Sequence, residues 1–345
     1  TDGDVRLLRA VGGWLSAHRP WLTATQPYAD VGLLVGHPAP EVMQIPTLGQ
    51  LWRASHRTLA TVPSPAGELG GHPGLDIDLS LQHEGYDTER VGSLFAGRSW
   101  DLSAYRLVVV PETALLDEPT VQVIRAYVRQ GGTLLACGHA SLFDQQGQQR
   151  PDFALADVFG VTYVGSLPGY KQWDPLPDSG LVAGLPRNTG ALTVTATTGT
   201  VLAAWRSAGG APALVEQVYG QGRCLYASAE EAAFGPGRAL LAELVARLIG
   251  PPPITLTSAR SYARLVRRHG NDLLLYLLER GAGTHAASLG PESVGLTLDT
   301  RVLGPIIRAE VLPAGEPVAL SRQAGAVRLW VNASPGVTAL RLIRG

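Results

Sequence analysis

Short apolar runs alternate with helical patterns over roughly the first 250 positions of the chain. The clearest unit starts with the apolar run Tyr105–Val110, continues with a helical pattern from Asp117 to about Arg129, and ends with the run Thr133–Ala136. Pro119 in the first helical turn and Gly131 after the last turn are typical start and stop signals of a helix. A strand, a helix and a second strand in so short a segment form a crossover connection, which predicts a parallel sheet.

Further elements extend this unit on both sides. The pattern predicts an initial helix over residues 1–22, a strand at Val31–Val35, a helix from about Leu48 to Leu59, a helical turn at Asp78–Glu84, a weak strand at Thr88–Val91, a hairpin of Ala213–Val218 with Arg223–Ala227, and a helix over Pro236–Leu248. Three consecutive prolines, Pro251–Pro253, can continue neither a helix nor a central strand, so they mark a linker. We therefore predict an α/β domain over residues 23–250.

The pattern changes beyond the linker to short apolar runs separated by turn residues. These runs are Arg260–Arg267, Leu273–Leu278, Val294–Leu298, Ile307–Leu312, Val327–Val331 and Thr338–Ile343. About 90 residues of short strands at this spacing, without a helical period, predict a small β-sandwich over residues 254–345.

The composition excludes several classes of protein. The chain has 345 residues, of which 45% are hydrophobic and 17% charged, and its formal net charge is −1. These values are typical of a folded chain and exclude the basic field that nucleic-acid binding needs. Two cysteines are too few for a disulfide framework or a zinc site, and the longest apolar runs are far too short to span a bilayer. We therefore expect neither a nucleic-acid nor a membrane partner.

The start of the chain indicates a longer parent protein. Residue 1 is a threonine and the single methionine is Met43, so we expect a processed product or a piece of a longer protein. A signal peptide would have been lost with the missing part, which leaves the compartment open, with a slight preference for the cytoplasm.

Residues 105–161 carry a family pattern, whose most specific piece is the segment DFALADVFG at Asp152–Gly160. The stretch resembles the trimerisation domain of family 42 β-galactosidases and related glycoside hydrolases. The resemblance implies a class I glutamine amidotransferase fold with a flavodoxin-like parallel sheet, followed by a small β-domain. It also implies a catalytic TIM barrel before this chain, with residues 1–22 as the helix that leaves the barrel, and a ring of three subunits.

The amidotransferase resemblance raises the question of a catalytic cysteine. Active relatives need an exposed cysteine on a sharp strand-to-helix turn, activated by a downstream histidine with a carboxylate. Aligning the elbow LACGHA on the preceding glycine pair places Gly138 at the nucleophile position, and Cys137 then points into the core. No histidine occurs between His139 and His269. We therefore expect a buried structural Cys137.

The alternative is a thiol-dependent, amidotransferase-like hydrolase that works through Cys137 and His139. In that interpretation His139 pairs with Glu112 across the strand ends. The competing interpretation of His139 is a satisfied structural histidine.

Aromatic residues cluster in the glycine- and proline-rich stretch 163–178. Tyr163, Tyr170 and Trp173, with Lys171 beside them, are candidates for stacking on sugar rings. Oligomer contacts or internal packing explain the same residue types. The tryptophans in or beside predicted elements, which are Trp52, Trp100 and Trp205, are expected in the core.

Two sets of polar residues have the wrong spacing for a catalytic or metal site. The metal-type side chains are His72, Asp76, Asp78, His83 and Glu84, whose spacing matches no known ligand set.

A glycosidase pair needs two carboxylates about 5 to 9 Å apart. The adjacent Glu230 and Glu231 do not form one, because neighbouring side chains diverge on a strand and on a helix. Asp117 and Glu118 are explained as favourable charges at a helix N-terminus. We expect no metal and no cofactor.

These observations favour a non-catalytic accessory region of a glycoside hydrolase that serves assembly, with a trimeric parent. Because the missing barrel can contribute much of the contact, a monomer or weak oligomer stays open for the chain itself. The alternatives are the hydrolase using Cys137 and His139, and a carbohydrate-binding module using the 163–173 loop or the β-domain.

Overall fold

The computed structural model describes residues 2–35, 75–92, 101–112, 115–167, 173–181, 191–206, 209–229, 239–279, 290–334 and 336–345. The chain divides into two compact units. The first, here called the α/β unit, comprises Asp30–Glu84 and Thr88–Pro251, and the second, here called the β unit, comprises Thr1–Ala29, Gly85–Asp87 and Pro252–Gly345. None of the described helices is both long and apolar enough to cross a membrane.

The N-terminal segment belongs to the β unit. It consists of helix α1 (Asp2–Leu22), which the sequence predicted, and the two-residue strand β1 (Gln26–Pro27). Trp14 and Trp21 lie seven residues apart on one helix face and pack against an apolar cluster that includes Tyr276. The Tyr276 hydroxyl donates a hydrogen bond of 2.9 Å to the Trp21 carbonyl. Residues 23–29, which we counted with the α/β domain, thus lie in the β unit.

The α/β unit is built on one eight-stranded sheet. Its helices and strands are β2 (Val31–Val35), α2 (Leu75–His83), β3 (Thr88–Gly92), β4 (Leu107–Val110), α3 (Glu118–Arg129), β5 (Thr133–Cys137), α4 (Ala156–Phe159), β6 (Val161–Leu167), β7 (Trp173–Pro175), β8 (Ala191–Ala196), β9 (Thr200–Trp205), β10 (Pro212–Tyr219), β11 (Gly222–Ala227) and α5 (Ala239–Ile249), with single 3₁₀ turns at Leu102–Ala104 and Pro177–Ser179.

The sheet is parallel in its first half and antiparallel in its second half. Its strand order is β3-β2-β4-β5-β11-β10-β9-β7, and the pairings from β3 through β11 are parallel. This confirms the predicted parallel sheet, and the antiparallel pairing of β10 with β11 confirms the predicted hairpin. All four residues of β4 are buried, as expected of a parallel strand covered on both faces.

Helix α3 shows how the local sequence sets its boundaries. Asp117 is the N-cap, and its carboxylate accepts a hydrogen bond of 2.9 Å from the Thr120 N–H. Val121, Ile124 and Val128 recur at helical spacing and face the core. After the helix the backbone reverses at Gly131, whose φ of 111° favours glycine.

The sequence analysis missed the strands between residues 161 and 205. Strands β6 and β8 pair with each other in a separate two-stranded ribbon, and β7 and β9 extend the antiparallel half of the main sheet. The predicted helix at Leu48–Leu59 lies outside the described residues. The predicted turn at Asp78–Glu84, the strand at Thr88–Val91 and the closing helix correspond to α2, β3 and α5.

The β unit contains nine further strands. They are β12 (Ile254–Thr257), β13 (Tyr262–His269), β14 (Asp272–Glu279), β15 (Glu292–Asp299), β16 (Ile306–Leu312), β17 (Glu316–Val318), β18 (Leu320–Gln323), β19 (Ala326–Ala333) and β20 (Val337–Arg344), with a one-turn helix α6 (Thr300–Leu303) after β15. All six predicted apolar runs are strands here, whereas β12, β17, β18 and the short helix were not predicted.

These strands form two antiparallel sheets around one core. One sheet has the order β1-β13-β14-β20-β16-β17 and the other β12-β15-β19-β18. Inward residues of both sheets, such as Leu275, Leu296 and Leu329, belong to one buried cluster. Two antiparallel sheets that face each other across a shared apolar layer account for the alternation of buried and exposed positions along β19.

Candidate functional site

The candidate catalytic residues lie where parallel strands of the α/β unit end. Glu112 follows β4, and Gly138 and His139 follow the neighbouring strand β5. Ser228 and Ala229 follow β11, the next strand in the sheet. Carboxyl ends of parallel strands share one sheet edge, which is the usual place for a site in this kind of sheet.

The turn after β5 is a tight elbow centred on Gly138. Its φ is 51°, and its N–H donates a hydrogen bond of 2.9 Å to the Ala227 carbonyl. The buried Tyr226 hydroxyl donates a hydrogen bond of 2.7 Å to the Gly138 carbonyl. A Cβ on Gly138 would lie 2.6 Å from Oε2 of Glu112 and 2.8 Å from its Cβ. The nucleophile position therefore has no room for a side chain while Glu112 keeps its place.

The two cysteines are in the interior. Cys137 is 1% exposed and Cys224 is 0% exposed. Burial raises the pKa of the Cys224 thiol well above its ordinary value. A nucleophilic cysteine needs an accessible thiolate, and neither position provides one in this arrangement.

His139 sits in the elbow as a neutral, buried ring. It is 9% exposed, and burial lowers its pKa to about 4. Its Nδ1 has no hydrogen-bond partner among the described residues, and its ring lies 6.0 Å from that of Phe143. The sequence analysis included the interpretation of a structural histidine with its ring nitrogens hydrogen-bonded. His139 is buried, but its Nδ1 has no hydrogen-bond partner among the described residues.

The structure thus brings Glu112, Cys137 and His139 to one sheet edge but buries all three. Glu112 is 6% exposed. Burial, with smaller contributions from Cys137 and Glu112, raises the pKa of the neighbouring Tyr226 hydroxyl well above its ordinary value. Glu112, Cys137 and His139, the candidate residues that the structure describes at this edge, thus provide no water-accessible base beside a nucleophile.

The aromatic candidates differ in their exposure. Trp173 is 1% exposed and packs with its ring centroid 6.0 Å from that of Trp205. The burial of Trp173 agrees with the alternative of internal packing and not with sugar stacking, and the expected core position of Trp205 is confirmed. Tyr163 is half-buried, with its ring edge-on to Phe153 at 5.8 Å. Tyr170, Lys171, Trp52 and Trp100 lie outside the described residues.

The metal-type residues serve other contacts where the structure describes them. The Asp78 carboxylate is buried and bound to Arg90 at 2.8 Å and to Thr88 at 2.5 Å. His83 and Glu84 form an exposed pair at 3.3 Å. Within the described ranges, no group of three or more histidine, cysteine, aspartate or glutamate side chains is placed to hold a metal ion. His72, Glu230, Glu231 and the side chain of Asp76 are outside those ranges.

The segment Asp152–Gly160 is a structural connector. The Asp152 carboxylate accepts hydrogen bonds from the N–H groups of Phe153 at 2.7 Å and Tyr163 at 2.8 Å. Gly160 has a φ of 70° and approaches the backbone of Gly199 so closely that a Cβ would lie 2.7 Å from its nitrogen. The segment's polar and glycine positions are thus explained by backbone contacts.

Arg150, just before this connector, has a structural role that the sequence analysis did not identify. Its guanidinium donates hydrogen bonds to the carbonyls of Phe143 and Leu116, both at 2.7 Å, and of Ser141 at 3.2 Å. These bonds fix the loop that follows the elbow. A lone arginine beside a proline carries no sequence signal for this role.

Comparison with solved structures gives glycosidases. The chain superimposes on an α-L-fucosidase isoenzyme 2 from Paenibacillus thiaminolyticus with a TM-score of 0.64 at 16% identity, covering 96% of this chain and 51% of that one. Two β-galactosidases, from Bacillus circulans sp. alkalophilus and Rahnella sp. R3, both give a TM-score of 0.61 at 17% identity. The matched regions include 94% and 98% of this chain, but only 42% and 44% of the two β-galactosidase chains. At these identities the likeness shows the fold alone.

Comparison by sequence gives a more specific result. No curated protein matches the chain. The family profile described as "Beta-galactosidase trimerisation domain" matches residues 88–254. This range contains the elbow, the connector Asp152–Gly160 and the hairpin β10–β11. Residues 88–254 therefore match the β-galactosidase trimerisation domain family, which confirms the resemblance carried by residues 105–161.

Proposed function

We propose that the α/β unit is a non-catalytic assembly domain that holds three copies of a glycoside hydrolase together. The observation that carries this function is the family match over residues 88–254. The buried elbow supports it, because an edge that encloses Glu112, Cys137 and His139 supplies no catalytic reason for the domain.

The finer fold assignment is a part of this proposal. Taken in chain order, the five parallel strands lie in the sheet as second, first, third, fourth and fifth. This is the order of flavodoxin-like sheets, in which ligands bind at the carboxyl ends of the strands. An amidotransferase-type domain that has glycine at the nucleophile position explains both the strand order and the closed elbow. We propose this fold for the α/β unit, which the sequence analysis placed at 23–250 and which begins at Asp30, and a β-sandwich for residues 254–345.

The catalytic part of the parent lies outside this chain in the proposal. The chain spans about half or less of the solved glycosidase chains it resembles. A TIM barrel before α1 would carry the two carboxylates of a glycosidase. Cleavage of β-galactosides by that barrel is the proposed activity of the parent, and the trimer would place each assembly domain beside a neighbouring subunit.

The inert elbow predicts the behaviour of both thiols. Cys137 and Cys224 are expected to stay unmodified by a thiol reagent such as 5,5′-dithiobis-(2-nitrobenzoate) in the native chain and to react fully in denaturant, because both are buried. A Ser321→Cys variant, which adds a thiol on an exposed position of β18, controls for reagent activity. Rapid labelling in the native chain that rises with pH and disappears in Cys137→Ala would instead support the thiol-dependent hydrolase.

The assembly role predicts the mass of the parent. Light scattering of the full-length enzyme is expected to give three times the subunit mass, with no loss on dilution into the micromolar range. Closing a ring of three needs a head-to-tail contact, and a stable contact buries more than about 1,000 Å² of total surface. A parent that is monomeric at tens of micromolar would exclude the assembly role, whatever its glycosidase activity.

A further inference from the structure

The outer face of the four-stranded sheet in the β unit exposes one tryptophan. Along β19 the positions alternate, so that Leu329 and Val331 point into the core and Trp330 between them points outward. Trp330 is 60% exposed, whereas Trp173 and Trp205 are buried. A tryptophan side chain has a large, rigid apolar surface, which is available here for a ligand to cover.

The backbone opposite Trp330 is shaped to let the indole lie down on the sheet. Gly295 of β15 is its cross-strand neighbour. A Cβ at Gly295 would lie 2.9 Å from the ring atoms Cη2 and Cζ3 of Trp330. The benzene part of the ring thus occupies the space above the glycine, and a residue with a side chain there would push it off the sheet. The rest of the Trp330 side chain is largely exposed to solvent.

Polar side chains lie beside the ring along β19 and on the side of β15 and β12. The pairing places Thr257 beyond Gly295 on β12, the pair Thr297–Arg328 on one side and the pair Ser293–Asn332 on the other. Thr257, Ser293, Arg328 and Asn332 are exposed and Thr297 is half-buried. The ring is therefore an isolated apolar platform among hydroxyl, amide and guanidinium groups.

We infer that this platform binds a neutral saccharide, with the C–H face of one pyranose ring on Trp330. An aromatic face suits the apolar side of a sugar ring. The hydroxyls around the sugar ring then need donors and acceptors at its rim, which Arg328, Asn332 and the threonine hydroxyls supply. The site lies outside the trimerisation domain, so it goes beyond the proposed function and does not rest on trimer formation.

Packing alone and protein docking explain less of this surface. Covering a cross-strand glycine with an aromatic ring is a known way to stabilise a sheet, but it uses one face of the indole and does not call for polar side chains around the ring. A stable protein contact needs about 800 Å² from each partner, with several apolar residues at its centre. One tryptophan buries at most about 250 Å², and its neighbours here are polar.

Affinity electrophoresis of the chain tests the inference. Native gels would contain soluble β-1,4-galactan, glucomannan or dextran. We expect at least one of these neutral polysaccharides to retard the wild-type chain, Trp330→Ala to weaken that retardation at least about tenfold, and Trp330→Tyr to retain part of it. Ile307→Ala, which shortens another exposed apolar side chain of the same unit, is the matched control and should migrate like wild type.

Arg328→Ala and Asn332→Ala keep the test decisive if Trp330→Ala fails to fold, because they leave the ring and its glycine in place. Each should weaken retardation without shifting the thermal unfolding midpoint. The inference is overturned if none of the three polysaccharides retards the wild type, or if the variants are retarded as strongly as wild type. A change in oligomeric mass for Trp330→Ala without any change in retardation would assign the surface to a second copy of the chain and would also overturn it. A monomeric parent with intact retardation would contradict the assembly role alone.

Discussion

Gly222→Ala is expected to destabilise the α/β unit by at least about 3 kcal/mol, the upper range for forcing an extra methyl group into a packed interior. A Cβ at Gly222 would lie 2.2 Å from the carbonyl oxygens of Gly132 and Val128 and 3.1 Å from the Gly131 carbonyl carbon. Every one of these atoms is backbone, so no side chain can rotate away to make room. Either β11 or the end of α3 has to move.

Both elements are held where they are by hydrogen bonds. The Gln221 N–H donates a hydrogen bond of 3.0 Å to the Arg129 carbonyl. The Arg223 N–H donates one of 3.2 Å to the Gly132 carbonyl. Moving β11 would also disturb its parallel pairing with β5. Because Gly222 does not have a positive φ, the effect would come from lack of space and not from backbone strain.

Urea unfolding followed by circular dichroism measures the effect. Gly165→Ala on β6 is the matched control, since a Cβ there meets no atom within 4 Å. It should stay within about 0.5 kcal/mol of wild type. Equal stability of the two variants would mean that the turn after α3 and the start of β11 do not pack as closely as the structure shows.

The parallel half of the sheet was predictable because its signals are local. Asp117 and Gly131 mark the ends of α3 within a few residues of the atoms that they contact. The antiparallel additions β7 and β9 were missed, since the order of strands at the edge depends on partners far along the chain. The association of α1 with the β unit was missed for the same reason, because Trp14 and Tyr276 are close in space and distant in sequence.

The candidate site was predictable only in part. The glycine pair before β5 placed Gly138 at the elbow, and its left-handed φ and the burial of Cys137 agree with that placement. Exposure could not be predicted for Trp173, because a ring in a polar loop is buried only if a partner such as Trp205 lies against it. The exposure of Trp330 was detectable in principle. In the run V-R-L-W-V-N-A, apolar and polar residues alternate, and Trp330 stands at a position where a strand points its side chain outward.

Arg264→Ala is expected to destabilise the β unit by about 3–5 kcal/mol, the range for removing one partner of a buried ion pair. The Arg264 guanidinium lies 2.8 Å from the Asp87 carboxylate, and their side chains are only 7% and 8% exposed. Arg264 also donates hydrogen bonds to the carbonyls of Gly85 and Ile254. Its loss would leave a buried carboxylate and two carbonyls without their cation and donors.

The loss of unfolding free energy in Arg264→Ala should depend on pH in a defined direction. Burial raises the pKa of the Asp87 carboxyl above its ordinary value, and Arg264 opposes that rise. A folded-state pKa above the unfolded one means that the ionised carboxyl opposes folding at neutral pH and that protonation relieves it. Without Arg264 the pKa would rise further, so the deficit of Arg264→Ala should be largest at neutral pH and shrink as the pH falls through the raised pKa.

A surface pair of nearly the same length separates burial from charge pairing. Arg301 and Asp299 lie 2.7 Å apart, but the Arg301 side chain is 76% exposed. Arg301→Ala should therefore change the free energy of unfolding far less than Arg264→Ala in the same urea titration. Adding Asp87→Asn to Arg264→Ala removes the buried charge and should recover part of the lost stability, above all at neutral pH. If Arg264→Ala were no less stable than Arg301→Ala, or if the double variant recovered nothing, Asp87 would have to be hydrated in solution, and the segment Gly85–Asp87 would not belong to the packed β unit.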